Sequence, residues 1–171
     1  MKKILILFLC TILFACNQQN TKVVLETDGI EYHIMNNVSF YYPKDFSIDL
    51  TTETQEKVSM LKDDEAYMYQ TIIDDTDNKI KDMPQLYLGQ LEEDGAVKAD
   101  YTSVVLENEL ECYEFSGIYA SSGIKFKHLV YFTNQATYVY SYQASEKIFD
   151  DHINIATQYL RSLTVHNEQV S

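Results

Sequence analysis

Residues Thr137–Leu163, TYVYSYQASEKIFDDHINIATQYLRSL, set two periodicities back to back, and their reading decides the fold. Up to Ala144 the tyrosines recur at every second residue, so Tyr138, Tyr140 and Tyr142 point to one face of a strand. From Ser145 the period changes. Phe149, Ile153, Ala156, Leu160 and Leu163 recur at 4-3-4-3, the apolar stripe of an amphipathic helix with Ser145 as its cap. Ile148, Ile155 and Tyr159 widen the stripe, while Lys147, Asp150, Asp151, Asn154, Gln158 and Arg161 fill the other face. Such a helix must cover a sheet.

Upstream lie three more strand-like runs, Thr102–Glu107, Leu110–Ser116 and Ile124–Phe132. Turns fall near Asn108, Ser121-Ser122-Gly123 and Asn134-Gln135. Connections this short join antiparallel neighbours, so the four strands form a meander. Asp82–Asp94 reads as a shorter helix: Asp82 caps it, Pro84 sits in its first turn, Met83, Tyr87 and Leu91 share a face, and Gly95 stops it. Before it, Lys57–Leu61 and Ala66–Ile73 pair through a polar turn, with Tyr67 and Tyr69 on one face and Met68 and Gln70 on the other. Phe46–Leu50 alternates apolar and polar, and Val38–Tyr42 ends at Pro43. Val23–Thr27 and Glu31–Met35 flank Asp28-Gly29, which reads as a hairpin turn. The expectation is an α+β domain. An antiparallel sheet with a meander is covered by the long C-terminal amphipathic helix and by the second, shorter helix. The domain spans 23–165, with 166–171 as a tail.

Asn37–Leu50, NVSFYYPKDFSIDL, resembles the opening of PsbP-like domains, with a strand, an aromatic-Pro step, an acid-aromatic pair and a second strand. The later order of helix, meander and a final helix ending Tyr159-Leu160-Arg161-Ser162-Leu163 is similar too. This resemblance implies a non-enzymatic accessory or binding domain and brings no functional residue with it. Fold alone does not set function.

The N-terminus carries an address. Lys2 and Lys3 precede an apolar run, Ile4–Ala15, of 12 residues, shorter than the roughly 20 that span a bilayer. Leu13-Phe14-Ala15-Cys16 resembles the lipobox of bacterial lipoproteins, which implies cleavage after residue 15 and lipid on Cys16. The alternative is an ordinary secretory signal cut elsewhere, or an uncleaved anchor. Residues 16–22 are then the lipidated cysteine and a short tether, and the place of work is the outer side of a membrane. Two or more acyl chains make such an anchor durable.

Without residues 1–15 the chain holds 11 basic and 26 acidic residues, a net charge of 11 − 26 = −15. That excludes nucleic acid, whose phosphates need Lys and Arg. It also opposes lying flat on an anionic bilayer. With Cys10 in the signal and Cys16 lipidated, Cys112 has no disulfide partner and reads as a small buried apolar residue beside two acids.

Reactive motifs are sparse. His33, His128, His152 and His166 show no metal-ligand spacing, no GxSxG exists, and no phosphate-cradling glycine loop exists. Asp74, Asp75 and Asp77 form the densest acidic run, read as a solvated loop with weak cation binding as the alternative. The tyrosines are the remaining candidate. Tyr138, Tyr140, Tyr142, Tyr67 and Tyr69 are either a binding platform or the floor beneath a helix. The sequence therefore points to a module that binds an envelope protein, uses no cofactor and performs no catalysis. A lipoprotein holding a small molecule or divalent cation is the alternative, and a cryptic hydrolase the third reading.

Overall fold

The structure, a computed structural model, describes residues 25–34, 37–63, 65–74 and 82–166. One helical turn, α1 (Leu25–Asp28), leads into β1 (Gly29–Ile34) and β2 (Val38–Pro43). Next come β3 (Ser47–Ile48), β4 (Lys57–Lys62), β5 (Ala66–Asp74) and α2 (Met83–Glu93). The second half is β6 (Ala96–Val105), β7 (Glu111–Tyr119), β8 (Ile124–Phe132), β9 (Ala136–Ser145), α3 (Glu146–Leu160) and β10 (Thr164–Val165). The α+β architecture with its meander is as expected.

All described pairings are antiparallel. β6 to β9 are the meander, and β5 joins β9 on its far side, giving the order β3-β4-β5-β9-β8-β7-β6. Alternation sorts the side chains of this seven-stranded sheet into two cores. On one face Met68, Leu129, Tyr140 and Tyr142 pack against α3 and against β2. On the other, Phe115, Phe126, Val130, Phe132 and Val139 pack against Met83 and Leu91 of α2. The result is three layers, each helix covering one sheet face.

Several expectations are corrected. A second sheet, β1-β2-β10, shares the α3 side, where the sequence implies a single sheet. Asp28-Gly29 is not a hairpin turn, since the β1–β2 hairpin closes between Ile34 and Val38. Gly29 is there for close approach: a Cβ would lie 2.7 Å from the Leu25 carbonyl oxygen and 3.0 Å from the Tyr159 ring. Phe46–Leu50 shrinks to the two residues of β3, because Asp49 turns the chain by accepting from the Thr51 amide and hydroxyl. β6 begins at Ala96 rather than Thr102, its phase broken by an irregularity between Val97 and Asp100 with Lys98 at φ 53°. Neither Asp82 nor Ser145 makes a side-chain cap bond. Gly95 does end α2, in the left-handed region at φ 93°.

Candidate functional site

A cleft of about 480 Å³ opens between α3, the free end of the sheet and the β2–β3 turn. Its helical wall comes from Ile148, His152, Ile155, Ala156 and Tyr159, which share a face because they lie three, four and seven residues apart. Its floor is Ala66 and Met68 of β5 and Tyr142 of β9, adjacent strands in which Met68 stands opposite Tyr142. The third side is Pro43-Lys44-Asp45-Phe46, held as a turn by the Phe46 amide donating to the Pro43 carbonyl at 3.0 Å. Phe46 itself is buried and packs into the main core.

Charge sits at the rim. Lys62 Nζ meets the Asp45 carboxylate at 2.8 Å, and this bond holds the ammonium above its ordinary pKa. Glu65 adds to the pull on Lys62, and Asp28 and, on the helix, His152 also line the cleft. Asp28 also closes the mouth through its backbone, its carbonyl accepting from the Tyr159 hydroxyl at 3.0 Å and from the Lys44 amide at 3.4 Å. Lys44 Nζ donates to the Thr27 carbonyl. Inside, Tyr142 stacks on Phe149 with ring centroids 5.6 Å apart. Burial, and secondarily Asp45, pushes the Tyr142 phenol up to about 12. A phenol kept protonated can donate a hydrogen bond to an occupant.

The five tyrosines do not form one surface. Tyr140 is fully buried, its ring 4.7 Å from Phe40 and its hydroxyl donating to the Tyr41 carbonyl at 2.7 Å. Tyr138 is half-buried against Tyr131, and Tyr142 reaches the cleft. That face is a covered core, which corrects the platform reading for Tyr140: a residue without exposure cannot meet a partner. Tyr67 and Tyr69 lie on the opposite sheet face, rings 5.5 Å apart, with the Tyr67 hydroxyl 2.9 Å from Ser59 Oγ. Asp74 ends β5 opposite Ala136. Cys16, Asp75 and Asp77 lie outside the described residues. Among the described residues no group of three or more His, Cys, Asp or Glu could hold a metal, and no helix is long and apolar enough to cross a membrane.

Sequence reasoning missed three buried polar groups. His128 is enclosed beneath α2, with Nδ1 2.9 Å from the Tyr87 hydroxyl, Nε2 without a partner, and a pKa driven down to about 3 by burial. The signal was its phase, since it shares a sheet face with Phe126, Val130 and Phe132. Gln70 is buried on the α3 side, its Oε1 unpaired. Glu114 is buried between Arg161 Nε at 2.6 Å and Lys127 Nζ at 3.0 Å, tying the end of α3 to β7 and β8. Burial raises its carboxyl, but the bonds from Arg161 and Lys127 outweigh that and hold it below the usual range. Burial also pushes the Cys112 thiol up to about 12, as suits a packing residue.

The sequence matches no protein-family model, and comparison with curated proteins finds no match. Solved structures do match. The solution structure of cyanobacterial PsbP (CyanoP) from Synechocystis shares 12% identity over 81% of this chain and 93% of that one, with a TM-score of 0.58. A crystal structure from Bacteroides thetaiotaomicron shares 13% identity over 82% of this chain and 50% of that one, at 0.56. LpqN of Mycobacterium tuberculosis, described as involved in cell envelope biogenesis, shares 11% identity over 81% and 91%, at 0.48. Likeness at such identities concerns the backbone alone. The chain has the PsbP-like fold.

Proposed function

We propose that this chain is a lipid-anchored module on the outer side of a membrane, that it acts by binding an envelope component rather than by catalysis, and that the cleft beside α3 is where it binds. The observation that carries the reading is the cleft itself. Its volume of about 480 Å³ falls in the range of ligand pockets. Its floor is apolar, and a few polar groups stand at its edge. The anchor rests on the lipobox-like Leu13–Cys16.

Two groups of the cleft are held in their proton-bearing form: Tyr142 and Lys62 are both pushed upward, so both stay protonated at neutral pH and offer donors to an occupant. The strongly shifted His128 and Cys112 belong to the packed interior and do not line the cleft.

The test is a crosslinking pull-down from intact cells with the native lipidated chain and with Ile148→Asp/Ile155→Asp. These two side chains are half-buried and exposed, so the charges should spoil the wall without unfolding the domain. One dominant partner or co-purifying small molecule, lost in the variant, is the expected result. Capture that survives the substitutions removes the cleft from the reading. Cys16→Ser should move the chain out of the membrane fraction, and unchanged fractionation removes the anchor.

A further inference from the structure

We infer that the occupant of the cleft is the apolar body of a membrane amphiphile with an uncharged or zwitterionic head, taken up from the bilayer that carries the chain. This deepens the binding reading above and rests on it.

The first argument is where the described chain starts. α1 begins at Leu25 and ends at Asp28, which lies in the lip of the cleft. Two bonds to the Asp28 carbonyl, from Tyr159 and Lys44, fix this entry point against α3 and the β2–β3 turn. Cys16 precedes Leu25 by 25 − 16 = 9 residues. Nine residues reach at most about 30 Å fully extended. A lipid on Cys16 therefore confines the mouth of the cleft to within about that distance of the membrane surface. The lip of the cleft thus lies at the tethered end of the domain.

Chemistry selects the occupant. A floor of Met68 and Tyr142 and a wall of Ile148, Ile155 and Ala156 reward an apolar body. The rim carries both signs, Lys44 and Lys62 with Asp28, Asp45 and Glu65. Lys62 is matched by Asp45 at 2.8 Å, and the three carboxylates of the rim outnumber its two ammoniums, so a bare anion meets a net negative rim. A zwitterionic or uncharged head meets complementary groups of either kind, and the Tyr142 hydroxyl can donate to an ester or hydroxyl oxygen below it. The net charge of the mature chain, −15 by the arithmetic above, opposes anionic amphiphiles in addition.

The chain contains no tryptophan, so Ile155→Trp places its sole tryptophan on the cleft wall at an exposed position, read by excitation beyond the absorption of the tyrosines. The full lipidated chain is reconstituted in phosphatidylcholine vesicles containing a minor fraction of lysophosphatidylcholine brominated in its acyl chain. Expected is a blue shift and several-fold quenching of the tryptophan emission. Adding Ile148→Asp should abolish both, and Val105→Trp, at the opposite edge of the sheet, should show neither. Absent quenching, or quenching that Ile148→Asp leaves intact, overturns the amphiphile. A photoreactive residue at position 155 in intact cells then separates the two levels. Lipid adducts agree with the inference. Adducts to a protein or a water-soluble molecule overturn it while leaving cleft binding in place, and the absence of adducts overturns both.

Discussion

The Tyr140 hydroxyl donates to the Tyr41 carbonyl at 2.7 Å and joins the two sheets at the centre of the molecule. Tyr140 stands in β9, in the middle of the large sheet, and Tyr41 in β2, in the middle of the small one. The bond satisfies a buried phenol and sets how far apart the sheets lie. Tyr140→Phe keeps the ring against Phe40 and loses only the bond, so it should cost about 1 kcal/mol in urea denaturation. Tyr140→Ala empties the site and should cost about 3–5 kcal/mol. Equal, near-zero effects would mean the tyrosine is not core.

Glu114 should behave as a clamp whose loss loosens α3. Breaking a fully buried ion pair costs about 3–5 kcal/mol, but Arg161 is half exposed and can return to water. Glu114→Gln should therefore fall nearer to about 2 kcal/mol. The folded carboxyl titrates below its ordinary 4.5, so its contribution is intact above that value and declines as pH falls through the lowered one. The acid limb of a stability profile should be flatter in Glu114→Gln than in the parent chain.

His128 gives a second pH dependence at a different place on the scale. Burial lowers it from 6.5 to about 3, so below pH 6.5 the unfolded chain takes up a proton that the folded one refuses. Stability is whole above pH 6.5 and declines toward 3, at a limiting slope of about 1.4 kcal/mol per pH unit. Its facing groups are neutral in that window: Tyr87 from α2, and Tyr69 and Phe126 from the sheet. His128→Phe should remove the slope between about pH 6.5 and 5. At neutral pH it should cost about 1 kcal/mol for the stranded Tyr87 hydroxyl.

Gly29→Ala tests the lip of the cleft. A methyl group 2.7 Å from the Leu25 carbonyl oxygen must move α1, the Tyr159 ring, or both. A cost of about 1–3 kcal/mol is expected, with faster hydrogen exchange at Lys44, whose amide bonds to Asp28. Unchanged exchange would separate α1 from the cleft.

Most of the large sheet was legible because its signals are local. β8 runs from Ile124 to Phe132 in both the alternation and the structure, and the stripe of α3 buries Phe149, Ala156 and Leu160 as its spacing demands. What escaped depends on distant partners. β10 is two residues long and exists only because Thr164 and Val165 meet Ser39 and Val38. α1 depends on Gly29 fitting beneath Tyr159. The cleft was invisible for the same reason: Asp45, Lys62, Met68, Tyr142 and Ile155 come from five segments, each with an ordinary local explanation. Alternation gives the tyrosine ladder its phase, but it cannot say which face a helix covers.

One pairing bears on timing. β5 lies between β4 and β9, and its whole length, from Ala66↔Ala144 to Asp74↔Ala136, waits for a strand synthesised more than sixty residues later. Until β9 emerges, the first half of the chain has an open ladder and no helix over its apolar face. A growing chain is thus kept from closing before its C-terminal third is made, which suits a polypeptide that, on the address proposed above, crosses a membrane as an unfolded thread. A chain ending at Phe132 should accordingly stay protease-sensitive, whereas one ending at His166 should resist. A resistant core in the shorter chain would show that the early strands close without β9.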